Sequence, residues 1–192
     1  MQLYKEKIDV AYSILKAINP ESLSSRGNAV FAILVDRSLV AASTNAVVYV
    51  PNAVVGGQMV GDDVLSTKDV IAFVESRDDE APSRHGIAFT TKRSVIRVEN
   101  VWPAVRRKID RAVTIIDMEY SANCLAGVSI STVVMELLVR AVNSVDLSGT
   151  IALAASTGSV NVFKRGNTPA ESRVVRAGFS GVETYAYILP AA

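Results

Sequence analysis

Apolar residues recur along the chain with two different periods. Ile8, Ala11, Tyr12, Leu15 and Ile18 share one side of a helical wheel and Lys5, Asp9 and Lys16 share the other, so the spacing predicts an amphipathic helix that stops before Pro20. The run from Asn28 to Pro51 changes period. It predicts strands over 29–35 and 38–42 with a third over 46–50, the first two joined by a tight connection at Asp36-Arg37. A second helix should open at Ser66, whose hydroxyl can cap free amides while Asp69 sits three residues on, and Val70, Ile71, Phe73 and Val74 supply its apolar side. Residues 86–91 and 94–98 read as a hairpin turning at Lys92-Arg93. Pro103 suits the first position of a third helix with Val105, Ile109, Ala112 and Val113 inward and Arg106, Arg107, Lys108 and Arg111 outward. Residues 114–120 and 126–130 read as strands. A fourth helix over 132–143 buries Val133, Val134, Leu137, Leu138, Ala141 and Val142, and further strands are expected at 150–154, 159–163 and 183–189, the last reached through a Gly/Asn/Pro-containing loop. The order helix, strands, helix, strands thus occurs twice, which divides the chain into 1–102 and 103–192.

Composition narrows the class. With 192 residues, 49% of them hydrophobic and 6% aromatic, the chain can bury a substantial core. No apolar run reaches the roughly 18 residues of a membrane span, and the amino terminus lacks the basic-then-apolar order of a leader, so a cytoplasmic location is expected. The net charge of +1 announces no polyanionic partner globally, and any such partner must be met by local clustering of basic side chains.

The groups that catalysis needs are sparse. One cysteine, Cys124, permits no internal disulfide and reads as a small core residue, and the lone histidine, His85, lies in a Ser-Arg-His-Gly turn that reads as solvated. Asp62-Asp63 and Asp78-Asp79-Glu80 read as solvated turns rather than a cation site. The glycine-rich run Gly56-Gly57-Gln58-Met59-Val60-Gly61 lacks the lysine and hydroxyl of a phosphate loop. No catalytic residue, metal site or cofactor is therefore expected.

Several stretches, taken in order, resemble the DNA sliding clamps, especially the bacterial β-clamp type. They are Leu39-Val40-Ala41-Ala42-Ser43-Thr44-Asn45, the joint Val98-Glu99-Asn100-Val101-Trp102-Pro103-Ala104-Val105-Arg106-Arg107, the run Ile115-Ile116-Asp117-Met118-Glu119-Tyr120-Ser121 leading to the segment 128–138, and the closing Tyr185-Ala186-Tyr187-Ile188-Leu189-Pro190. The resemblance implies an α+β fold of repeated units with helices on one face of antiparallel sheets. It also implies a homo-oligomeric ring, a trimer for a two-domain subunit, that encircles double-stranded DNA and tethers a DNA polymerase after delivery by a clamp loader. Lys5, Lys16, Lys68, Arg106, Arg107 and Arg140 would meet the DNA. Val48, Lys108, Ile109, Ile188, Leu189 and Pro190 would form a groove for partner peptides. A phage or viral structural protein, an oligomeric shell or tail component, is the alternative that the same Ala/Val-rich strands and small net charge fit.

Overall fold

A computed structural model describes residues 2–24, 26–75, 87–88, 95–126, 132–144, 151–158 and 173–189. The fold is α+β, with four helices and one antiparallel sheet of nine strands. The helices are α1 (Lys5–Ile18), α2 (Thr67–Glu75), α3 (Pro103–Ile116) and α4 (Thr132–Asn143). The strands are β1 (Gln2–Leu3), β2 (Val30–Ile33), β3 (Leu39–Ala42), β4 (Ala46–Val50), β5 (Val54–Gly56), β6 (Asp63–Leu65), β7 (Ile87–Ala88), β8 (Val95–Arg97), β9 (Tyr120–Ser121), β10 (Ile151–Ser156), β11 (Val175–Phe179) and β12 (Thr184–Ile188). The large sheet runs β8-β6-β2-β3-β4-β12-β11-β10-β9, and β5-β1-β7 make a second, three-stranded sheet.

Local chemistry sets most of these boundaries. Asp69 N donates to Ser66 Oγ at 3.3 Å, the cap expected for α2, and Pro103 occupies the first turn of α3, where its missing N–H costs nothing. The β2–β3 connection turns through Arg37 in the left-handed region (φ 71°), and the Asp36 carboxylate fixes it by accepting from Ser38 N at 3.0 Å.

Alternation along the central strands feeds two cores. Phe31, Ile33, Leu39, Ala41, Val48 and Ile188 point to one side, where Ile8, Ile14 and Leu15 of α1, Val70 of α2, and Leu138 and Ala141 of α4 cover them. Val30, Ala32, Val40, Val47 and Tyr187 point to the other, under Ile109, Ala112 and Ile115 of α3. A strand covered on both faces has no polar side to show. That is why β2 and β3 are apolar at every position and buried throughout.

The sequence halves 1–102 and 103–192 meet where β4 pairs antiparallel with β12, Tyr49 opposite Tyr185 and Ala46 opposite Ile188. On either side of that seam lies one helix followed by three antiparallel strands, α1 then β2-β3-β4 and α4 then β10-β11-β12, with α1 and α4 packed against each other.

Several expectations need correction. The helices do not share one face, because the apolar stripe of α3 meets the sheet residues that α1, α2 and α4 leave free. Residues 114–116, β-branched and read as strand, instead finish α3, since Ile115 is 1% exposed in its core; of the expected 114–120 strand only Tyr120 is extended, forming β9 with Ser121. The strands of the expected 86–98 hairpin enter different sheets in their described parts, β7 beside β1 and β8 beside β6. Strands β1, β5, β6 and β11 were not anticipated. Cys124 is half-buried in a short 3₁₀ turn rather than in the core. His85, Asp78-Asp79-Glu80, the 126–130 strand beyond Ala126, and the 159–163 strand lie outside the described residues.

Candidate nucleic-acid interface

Among the four helices α3 carries the most one-sided charge, with four cations to one acid. Its buried positions Ile109, Ala112 and Ile115 recur every three residues, so the helix rests on one stripe and turns Arg106, Arg107, Asp110 and Thr114 outward. Arg106 and Arg107 are exposed. Lys108 and Arg111 lie lower on the flank and hold the helix to the sheet ends: Lys108 Nζ donates to Asn28 O at 2.6 Å and Arg111 Nη2 to Thr44 O at 3.1 Å. Burial pulls the Lys108 ammonium below its ordinary pKa and the neighbouring Arg111 adds to that, while burial alone lowers Arg111. With Asp110 as its one acid, α3 carries a net charge of +3.

The opposite layer is balanced. Lys5, Lys7, Lys16, Lys68 and Arg140 on α1, α2 and α4 are matched in number by Glu6, Asp9, Asp69, Glu75 and Glu136 on the same helices, so the layer has no net charge. Several of its cations are also engaged. Lys16 Nζ is 3.3 Å from Glu75 Oε1 and 5.3 Å from the Tyr12 ring, Lys5 stands 5.5 Å over Phe73, Lys7 donates to Pro51 O at 2.8 Å, and Arg140 pairs with Glu136 one turn away. Tyr12 completes a surface triad by donating to Glu75 Oε1 at 2.6 Å. The six expected DNA contacts are therefore split by the sheet, Lys5, Lys16, Lys68 and Arg140 on one side and Arg106 and Arg107 on the other. The sign of each helix face was readable from the sequence; the side of the sheet each helix takes was not.

The expected peptide groove does not form at the named positions. Val48 and Ile188 are fully buried under α1, Ile109 and Leu189 are 2% exposed on the α3 side, and Lys108 is the flank anchor already described. Because β12 lies in the middle of the sheet, between β4 and β11, all of its residues but Tyr185 are buried. Pro190 lies outside the described residues.

Asp62 and Asp63 are each engaged within the fold. Asp62 accepts from Val35 N at 2.8 Å, and Asp63 pairs with Arg97 at 3.1 Å. The Asp63 carboxyl is nonetheless held above its ordinary pKa, because desolvation outweighs the attraction of Arg97. Among the described residues no group of three or more His, Cys, Asp or Glu side chains converges as metal ligands, and no helix is long and apolar enough to cross a membrane. No family model, curated protein or solved structure matches the chain.

Proposed function

We propose that this chain is a non-enzymatic subunit of a DNA sliding clamp, and that it meets duplex DNA through the outer face of α3. The observation that carries the reading is the charge asymmetry of the two helix layers: a net +3 on α3 against zero on α1, α2 and α4. Attraction to phosphates without sequence preference needs only such a local excess of exposed cations, and a ring that encircles its track can hold it with contacts that are individually weak. The repeated unit of a helix and three antiparallel strands, joined through β4 and β12, supports the clamp resemblance. So do the sheet borders β8 and β9, each paired on one side only among the described residues, which offer the edges through which neighbouring subunits can continue the sheet. In this reading the assembly is a homotrimer that tethers a DNA polymerase, placed by a loader.

The test is duplex binding followed by fluorescence anisotropy across a salt series. Arg106→Glu with Arg107→Glu should weaken binding about equally for unrelated sequences and flatten the log–log salt slope by roughly 2, the loss of two phosphate contacts. Sedimentation of the same variant should still show the trimer. Wild-type affinity in the double variant at low salt, or a stable monomer at micromolar concentration, contradicts the reading.

A further inference from the structure

The face of the sheet that carries α3 continues beyond the helix. α3 packs over β2, β3 and β4, and on that same side a row of residues crosses four strands in register. Tyr49 of β4 stands opposite Tyr185 of β12, Tyr185 opposite Gly178 of β11, and Gly178 opposite Ala152 of β10. Their neighbours along β11, Ala177 and Phe179, point into the core beneath α1 and α4, which fixes Gly178 to the α3 side. Two small residues end the row. Tyr49, Tyr185 and Gly178 are only half-buried and Ala152 is exposed.

The geometry of the row is that of an aromatic shelf. The Tyr49 and Tyr185 rings lie 6.2 Å apart between centroids, tilted by 35°. A Cβ placed on Gly178 would stand 3.4 Å from Cδ1 and Cε1 of Tyr185, at van der Waals contact, so the ring lies beside bare backbone there. Beside it, the Arg176 guanidinium sits 5.4 Å from the Tyr185 centroid and 4.9 Å from that of Tyr120, bracketed by two rings. The phenol tips point the other way: Tyr185 Oη donates to Glu183 at 3.3 Å and Tyr49 Oη to Asp36 at 3.4 Å. The shelf thus has a cationic flank at Arg176 and an acidic one at Asp36 and Glu183.

We propose that Tyr49, Tyr185 and Arg176 form a stacking platform for unpaired bases of single-stranded nucleic acid, whose phosphates run along the Arg176 side and away from Asp36 and Glu183. Half-exposed tyrosine rings on an antiparallel sheet, next to a guanidinium and on the same face as a basic helix, supply both things an unpaired strand needs. The rings stack on bases of any identity, and the cations track the backbone. Burial raises the pKa of both tyrosines, so the rings stay neutral and add no repulsion toward phosphate near neutral pH. The backbone half of the proposal rests on the α3 reading above; the stacking half does not.

The deciding measurement is the anisotropy-derived affinity of the full chain for three labelled probes of equal length: oligothymidylate, the same phosphodiester chain without bases, and a duplex. Oligothymidylate should bind at least about tenfold tighter than the abasic chain, the worth of one or two stacked bases. Tyr185→Leu should erase that difference while leaving abasic affinity unchanged, and Tyr185→Phe, which keeps the ring, should preserve it. Equal affinity of the unaltered chain for the two single-stranded probes overturns the platform, and needs no variant to fold. A fall of both affinities in Tyr185→Leu, with melting temperature unchanged, overturns it as well. The two readings fail separately. Base preference that survives Arg106→Glu with Arg107→Glu, at undiminished affinity for every probe, keeps the platform and removes the α3 contact. Loss of backbone affinity in that variant without any base preference keeps α3 and removes the platform.

Discussion

The two faces of the nine-stranded sheet are built from the same strands yet differ in what they leave outside. On the side of α1, α2 and α4 the helices contribute as many acids as bases, and four of their five cations are engaged with Glu75, Glu136, aromatic rings or backbone carbonyls. Beneath α3 the helix is fixed by Lys108 and Arg111 on its flank, and Arg106 and Arg107 stand exposed on its crest. That difference separates two uses of a lysine or arginine. Neutralised within the layer it holds the fold together; in excess over its neighbours it creates a field that a polyanion can sense.

Experiments can press on this contrast. The largest expected effect comes from the shared core. Phe31→Ala, at a fully buried position on the three-helix side, should cost about 3–5 kcal/mol in urea-induced unfolding, and Ile109→Ala on the α3 side about 2–5 kcal/mol. If Ile109→Ala lowers stability by less than 1 kcal/mol, α3 is a loosely attached element and the two faces are not equally part of the fold. Next comes alkaline unfolding, in which the two most strongly raised tyrosines, Tyr187 and Tyr120, both lie on the α3 side. Burial pushes Tyr187 from an ordinary 10.0 up to about 12, and the same desolvation raises Tyr120 further. A raised tyrosine keeps its stabilising contribution below the unfolded value and loses it as pH climbs through the folded one. Stability should therefore fall between pH 10 and about 12, by on the order of 3 kcal/mol for Tyr187. Tyr187→Phe should flatten that fall; an unchanged pH profile would place the titrating groups elsewhere.

A smaller effect, on binding rather than stability, comes from moving the charge reversal across the sheet. Lys68→Glu on α2 should reduce duplex affinity much less than Arg106→Glu on α3, since a single exposed charge beyond a Debye length of roughly 10 Å is largely screened. Equal losses from both would mean that DNA contacts the three-helix layer too. Smallest of all is Arg140→Ala. Its pair with Glu136 is exposed on both sides and spaced one turn apart, so its removal should shift stability by about 0.3–0.5 kcal/mol. A loss above 1 kcal/mol would show that Arg140 supports the packing of α4 on α1.

Much of the fold was legible in the sequence where local chemistry is strong. The Ser66 cap, the proline at the start of α3, the apolar runs of β2 to β4, the Asp36-Arg37 turn and the extent of α4 all follow from residues near one another in the chain. The failures share a different cause. β6 carries Asp63, an acid at a position that turns out to be buried against Arg97, and β11 has Gly178 in its middle and an arginine beside it, so neither looks like a strand in isolation. Residues 114–116 have strand-like branching, and it is the burial of Ile115 against the sheet's second face that keeps them in the helix. The candidate sites divide in the same way. The basic residues of α3 could be named in advance, whereas Ile188 and Leu189 were read as the rim of a groove because nothing local reveals that β12 sits in the centre of the sheet. The aromatic shelf was invisible for a related reason. It gathers Tyr49, Arg176 and Tyr185 from strands that only the register brings together.

The β4–β12 seam has a consequence in time. β12 follows every other described strand, yet it must slot between β4 and β11, so the sheet cannot become continuous until residues near 185 reach those near 49. Closing so long a loop before any of its pairing is rewarded makes for slow folding, and until it happens β4 presents a bare apolar edge to other chains. During synthesis that edge waits for β12 to leave the ribosome. Chaperone protection of the nascent chain, or capture of β4 by a second copy, is the kinetic hazard this topology carries.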